Sequence, residues 1–181
     1  MNQLINLTID IPQQRGLTLI LTQDKAHQNK TDLIANLILN GPLLVVLGDK
    51  WFPSLVLPRI IRTHTTDIKA VLSCLYIVRA STCYRLFYSL ANIPSKGEPI
   101  LILDFLHTFY DDNIPLRTRF FKLRGCCHEL KRLAFYRQVI VITQEMEGEN
   151  YEKFIPALYT IANKTFTLGT KREQFKQAVL F

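Results

Sequence analysis

Five short runs of almost unbroken apolar residues, separated by helix-length segments, leave this chain few ways to fold. They are Leu17–Thr22 (LTLILT), Leu43–Gly48 (LLVVLG), Cys74–Ala80 (CLYIVRA), Ile100–Phe105 (ILILDF) and Gln138–Gln144 (QVIVITQ). Runs that are apolar at nearly every position, rather than at every second one, are expected of strands covered on both faces, as in parallel sheets. Between them lie segments of helical period. Lys30–Leu39 runs into Asn40-Gly41-Pro42, a helix stop, and Leu55–Arg62 and Thr82–Leu90 are shorter. Arg117–Phe135 is the longest, and the stripe Leu116, Phe120, Leu123, Cys127, Leu130 and Ala134 predicts its buried face. Alternation of this kind predicts an α/β fold: a three-layer, doubly wound, mostly parallel sheet. Thr165–Gly169 and Ala178–Phe181 read as late strands, expected to form a short C-terminal β hairpin.

At 181 residues the chain is expected to form a single domain over 1–181, with 1–15 as a short N-terminal extension. Hydrophobic residues make up 48% and charged residues 20%, which excludes a disordered chain. The longest apolar runs are strand-sized, so no membrane span is expected, and the N-terminus shows no secretory signal. Cys74, Cys83, Cys126 and Cys127 form no C-x-x-C pair. Reduced thiols are expected, hence an intracellular location, cytoplasmic or nuclear.

The first strand-to-helix connection carries the most informative local pattern. A phosphate-binding loop reads G-x-x-x-x-G-K-T; here Asp24 to Thr31 reads D-K-A-H-Q-N-K-T. Lys30 and Thr31 stand where a lysine would neutralise phosphate and a hydroxyl would ligate magnesium. The two glycine positions hold Asp24 and Asn29. Asn29 tolerates positive φ and would preserve part of the turn, though helix capping explains it equally well. Asp24 would set a negative charge against phosphate. Asp104, at the end of ILILDF, is placed to hold magnesium or simply to cap a turn. Asp49 ends the second run, where a carboxylate would orient a water, and the neighbouring Trp51 would instead plug the pocket. Gln144 ends the fifth run, where it would sense a terminal phosphate. His27, His64, His107 and His128 show no metal-site spacing.

Lys and Arg outnumber Asp and Glu by 22 to 15, a net charge of +7 that points to an anionic partner. One basic group is Arg117, Arg119, Lys122, Arg124, Lys131, Arg132 and Arg137. A solvated helix face explains it as readily as nucleic-acid contact. A second group, Lys164, Lys171, Arg172 and Lys176, lies near Phe166 and Phe175. Cations interleaved with aromatics suit single-stranded nucleic acid.

From Gly16 to about Leu168 the order of these landmarks resembles the ATPase core of the RecA/RadA recombinase superfamily, particularly the archaeal and eukaryotic recombinases and their non-catalytic paralogues. GLTLILTQDKAHQNKTDLIANL stands where that family has strand, Walker A loop and helix. LLVVLGDKWFPSLVLPRI stands at its next strand and turn, with Asp49 in the place of the catalytic glutamate and Phe52 in that of a phenylalanine. Arg79 and Ala80 match a strand ending in Arg-Ala; ILILDF falls on Walker B, with Asp104; Gln144 falls on the sensing position. The resemblance implies a RecA-like accessory subunit in DNA recombination or repair. Its partner would be a RecA-like recombinase or paralogue in a hetero-oligomer, single-stranded DNA, or both. The missing Walker A glycines, the shorter Asp49, the acidic stretch Glu145–Glu152 and the few residues before Leu17 imply loss of ATP turnover. The alternatives are a weak ATPase, with ATP and Mg held by Lys30, Thr31 and Asp104, and a RecA-like scaffold without DNA contact.

Overall fold

Each apolar run becomes a strand because it can be covered from both sides. The computed structural model describes residues 14–22, 27–144 and 153–168. The strands are β1 Gly16–Thr22, β2 Leu43–Leu47, β3 Leu75–Arg79, β4 Ile100–Leu103, β5 Gln138–Gln144 and β6 Lys164–Leu168. They form one six-stranded sheet in the order β3-β2-β4-β5-β1-β6, and every pairing among the described residues is parallel. The helices are α1 His27–Leu39, α2 Leu57–Arg62, α3 Ile68–Ser73, α4 Cys83–Asn92, α5 Leu116–Tyr136 and α6 Ile155–Tyr159, with a 3-10 helix over Phe105–Phe109.

The period-2 alternation sorts the strand side chains onto two faces. Ile20, Val45, Leu101, Leu103, Ile140 and Ile142 pack with Leu33, Ile34 and Ile38 of α1 and with α2 and α3. Leu19, Leu21, Val46, Ile102, Val139 and Val141 pack with α4, α5 and α6. The result is the expected three-layer α/β arrangement, built on an all-parallel sheet. The buried side of α5 is the expected stripe, widened by Cys126 and Leu133.

Several expectations need correction. Thr165–Leu168 falls in strand β6, and no antiparallel partner for it, as the expected hairpin requires, is seen among the described residues. As β6 it runs parallel to β1, pairing Thr18 with Lys164 through Thr22 with Leu168. Ala178–Phe181, the other expected arm, lies outside the described residues, as does the expected loop Glu145–Glu152. The run Cys74–Ala80 is not covered on both faces: β3 is an edge strand, and Tyr76 and Ile77 are exposed. ILILDF is strand only to Leu103, because Asp104 turns into the left-handed region (φ 54°) and opens the 3-10 helix. Helices α3 and α6, six and five residues long, are too short to show a period in the sequence. Among the described residues no helix is long and apolar enough to cross a membrane.

All four cysteines are free thiols, and Cys83, Cys126 and Cys127 are buried. Burial pushes the Cys127 thiol up to about 11 and raises Cys83 and Cys126 as well. The folded state therefore favours the protonated thiols. That stabilisation is complete below the unfolded thiol pKa of roughly 8.5 and is lost as pH rises toward the folded values. Urea midpoints are expected to fall between pH 8 and 10.5, and to fall less in the Cys126→Ala/Cys127→Ala variant. A pH-independent midpoint contradicts this. In the native protein at pH 8, Cys74 alone should react quickly with an aromatic disulfide reagent.

Candidate functional site

In an open parallel sheet the strands' carboxyl ends share one edge, and ligand crevices form where successive connections leave to opposite faces. Here β1 and β2 lead into α1 and α2 on one face, whereas β4 and β5 lead toward α5 and α6 on the other. Because β4 and β5 lie between β2 and β1, the edge over these four strands opens into a cleft of about 220 Å³. It is lined by His27, Lys30, Asp49, Trp51, Asp104, His107, Tyr110 and Gln144.

The cleft is organised by one ion pair. Lys30 Nζ lies 2.5 Å from Asp104 Oδ1, joining α1 to the end of β4. The Lys30 side chain is 2% exposed and that of Asp104 14%. A lysine this buried requires a partner, because an unpaired ammonium in the interior is costly. Asp104 reaches it from a left-handed backbone conformation, the only non-glycine φ above zero among the described residues. The carboxylate caps no backbone N–H of the 3-10 helix; it serves the lysine.

The backbone around Asp104 is fixed from both sides. Gly48 N donates to Leu103 O at 2.8 Å. A Cβ on Gly48 would stand 2.3 Å from the Asp104 carbonyl oxygen, so only glycine permits this approach of β2 to the end of β4. On the other side Leu106 N donates to Thr143 Oγ1 at 3.1 Å, and Tyr110 Oη donates to Gln144 O at 3.4 Å. Both tie the 3-10 helix to the end of β5.

Aromatic rings roof the pair. Trp51 stacks on His27, with centroids 4.2 Å apart and planes inclined by 27°. Lys30 Nζ lies 5.7 Å from the Trp51 ring, at the limit of cation–π contact. Trp51 lines the cleft beside the ion pair. Asp49 accepts from its neighbour Lys50 N at 2.6 Å and faces His107 Nε2 at 3.5 Å. This second pair is largely exposed and contributes little by itself.

The structure brings Lys30, Asp104, Asp49 and Gln144 to one cleft. It separates Thr31 from them: Thr31 is buried in α1, and its Oγ1 donates back to His27 O at 2.8 Å. Asn29 lies inside the first turn of α1, so neither the left-handed turn nor the helix cap considered for it is present. Asp24 lies outside the described residues. His107 and Tyr110 join the site without a sequence signal of their own beyond lying three and six residues after Asp104. Among the described residues no group of three or more His, Cys, Asp or Glu side chains could hold a metal ion.

The expected basic face divides. Arg119 is buried; its Nη1 donates to Phe109 O at 3.2 Å and to Asp112 Oδ1 at 3.1 Å, holding the entry to α5. Arg132 donates to Leu90 O, Ile93 O and Ser95 Oγ, and Arg137 to Pro94 O, Ser95 O and Glu98 O. Both fasten the loop between α4 and β4 and contribute nothing to a free basic surface. Arg117 and Arg124 are exposed and Lys122 is half-buried. Lys171 and Arg172 lie outside the described residues. No protein-family model matches the chain, and no curated protein matches it.

Removing one member of the central pair should be costly. Asp104→Ala leaves Lys30 buried beside Trp51, and a loss of about 3 kcal/mol is expected, at the lower end for a broken buried pair because Asp104 stands at the cleft mouth. Lys30→Met/Asp104→Ala should recover at least half of that. Urea denaturation measures both, and a single-variant loss below about 0.5 kcal/mol, the scale of an exposed pair, contradicts the assignment.

Proposed function

We propose that this chain is a RecA-like accessory protein of the recombinase-paralogue type, acting in DNA recombination or repair by binding rather than by turning over ATP. Its partners are a RecA-like subunit, single-stranded DNA, or both. The parallel α/β architecture is consistent with a P-loop fold but not specific to it, so the weight falls on the cleft. The supporting observation is the Lys30–Asp104 pair under Trp51 and His27.

In a working phosphate site the lysine faces the phosphates and the aspartate faces magnesium. Here the two neutralise one another, and a polyphosphate would have to break a short buried contact and displace an indole before it met the lysine. The glycine-bearing backbone that would repay that cost is absent from positions 24 and 29. The cleft is also smaller than the roughly 300–1,000 Å³ of sites that enclose drug-sized ligands. A second reading, a weak Mg-ATPase, draws on the same edge: Lys30, Asp104, Asp49 and Gln144 share one cleft, in roles of phosphate contact, metal contact, water positioning and phosphate sensing.

Calorimetric titration with Mg-ATP separates the two. No heat of binding is expected up to millimolar nucleotide. A Kd below about 0.1 mM, abolished by Lys30→Ala, would overturn the binding-only reading in favour of the ATPase. Affinity capture from the native cell tests the partner, with recovery of a RecA-like recombinase as the expected result.

A further inference from the structure

We propose that the outward face of α4 and the amino-terminal half of α5 is a platform for single-stranded nucleic acid. The proposal deepens the nucleic-acid arm of the preceding reading and rests on it.

Apolar side chains exposed singly are ordinary, whereas a contiguous set of large aromatics marks a contact surface. Tyr88 and Phe121 are 70% and 72% exposed, and Tyr84 is 47% exposed. Helical spacing collects them. Tyr84 and Tyr88 are one turn apart on α4, and Arg117, Phe121 and Arg124 follow at i, i+4 and i+7 on α5. The two helices meet closely because Gly125 has no side chain: a Cβ there would stand 2.7 Å from the Phe87 ring.

Lys122 bridges the helices. Its Nζ lies 4.8 Å from the ring centre of Phe87, 5.1 Å from Tyr84 and 5.9 Å from Phe121. A cation shared by three rings holds Tyr84 and Phe121 in place before any partner arrives, so less ordering remains to be done on binding. The exposed ring faces offer stacking surfaces, and Arg117 and Arg124 are exposed on the same stripe of α5, one turn to either side of Phe121. Bases stack on such rings irrespective of sequence while the cations follow the backbone.

Charge decides between a nucleic acid and a protein. Helix α4 has no carboxylate, and α5 has none before Glu129. The nearest ones, Asp111 and Asp112, precede α5, and Asp112 is engaged by the buried Arg119. A protein docking surface normally mixes both signs at its rim. Among the described residues, α4 and the part of α5 before Glu129 carry cations and rings and no carboxylate, with Asp111 the acidic neighbour near the start of α4, which favours a polyanion with π-faces.

The test is fluorescence anisotropy of a labelled twenty-nucleotide oligo-dT at 50–200 mM NaCl. Tyr88→Ala/Phe121→Ala is expected to weaken binding at least tenfold. Arg117→Ala/Arg124→Ala is expected to weaken it and to flatten the log–log salt slope by about 1.4, the loss of two single-strand phosphate contacts. Arg62→Ala/Lys69→Ala, exposed on the opposite helical layer, should bind as the parent does. All substituted side chains except Phe121 and the tyrosine are surface cations, and unchanged circular dichroism and melting confirm that each variant is folded. If the parent binds and both α4–α5 variants bind equally well, the platform is overturned while DNA binding stands. If the parent fails to bind even at 50 mM salt, the platform and the DNA arm fall together, leaving partner binding. If the variants keep DNA but lose a recovered RecA-like partner, the face is a protein docking surface and the proposal is wrong.

Discussion

A sheet whose strands all run one way can reverse the chain only through helices that cross its faces, and this constraint organises the molecule. It requires the strands to be covered on both sides, which is why the interior strands are apolar at nearly every position. It also brings the carboxyl ends of β1, β2, β4 and β5 to a single edge. Residues from positions 27 to 144 meet there although no two of the contributing loops are neighbours in sequence. The cleft is a consequence of topology before it is a consequence of any side chain.

What occupies that edge is a matter of electrostatics. An ammonium with 2% exposure has lost most of its water, and Asp104 replaces that hydration with one short charge-assisted contact. The contact demands an unusual backbone at Asp104, and the backbone in turn demands Gly48 on the neighbouring strand and Thr143 on the other side. Such local strain persists only where the surroundings over-determine it. Four separate elements have therefore been fitted around the meeting of Lys30 and Asp104. The fitting produces a self-neutralised site, with the stacked His27 and Trp51 rings beside it.

The positions of β1, β2, β4 and β5 were legible in the sequence because their apolar runs are unbroken. The same rule located β3 but misjudged how it is covered. Leu75–Arg79 is as hydrophobic as its neighbours, but an edge strand and an interior strand have the same composition when the edge carries exposed Tyr76 and Ile77. Strand order, too, is not written in any local pattern, so the parallel attachment of β6 to β1 could not be separated from a hairpin. Lys30 and Asp104 were identifiable as candidates from their places at a helix start and a strand end. Their direct pairing was not, since it depends on the order β4-β5-β1 and on the left-handed turn at Asp104. Thr31 shows the converse: a hydroxyl in the right sequence position whose hydrogen bond is spent on the helix that carries it.

Net charge is a poor map of a binding surface, and the arginines of this chain show why. Arg119, Arg132 and Arg137 sit among the basic residues of α5 and just beyond it, and in sequence they look no different from Arg117 and Arg124. A guanidinium carries five donors in a planar fork, so it can satisfy several backbone carbonyls at once where a loop or helix end leaves them bare. Arg132 and Arg137 do this for the carbonyls of Leu90, Ile93, Pro94, Ser95 and Glu98. Burial disfavours the charged form of Arg137 and lowers its pKa, the cost of using a cation as a structural clamp. Burial also opposes the charge on Glu129, but hydrogen bonds from Arg132 and His128 outweigh it and hold that carboxyl below its ordinary value. On the amino-terminal half of α5, Arg117 and Arg124 are exposed and share their helix face with Phe121, while Lys122 meets the rings of Tyr84, Phe87 and Phe121. It is this remainder of the positive charge, rather than its total, on which the proposed nucleic-acid platform rests.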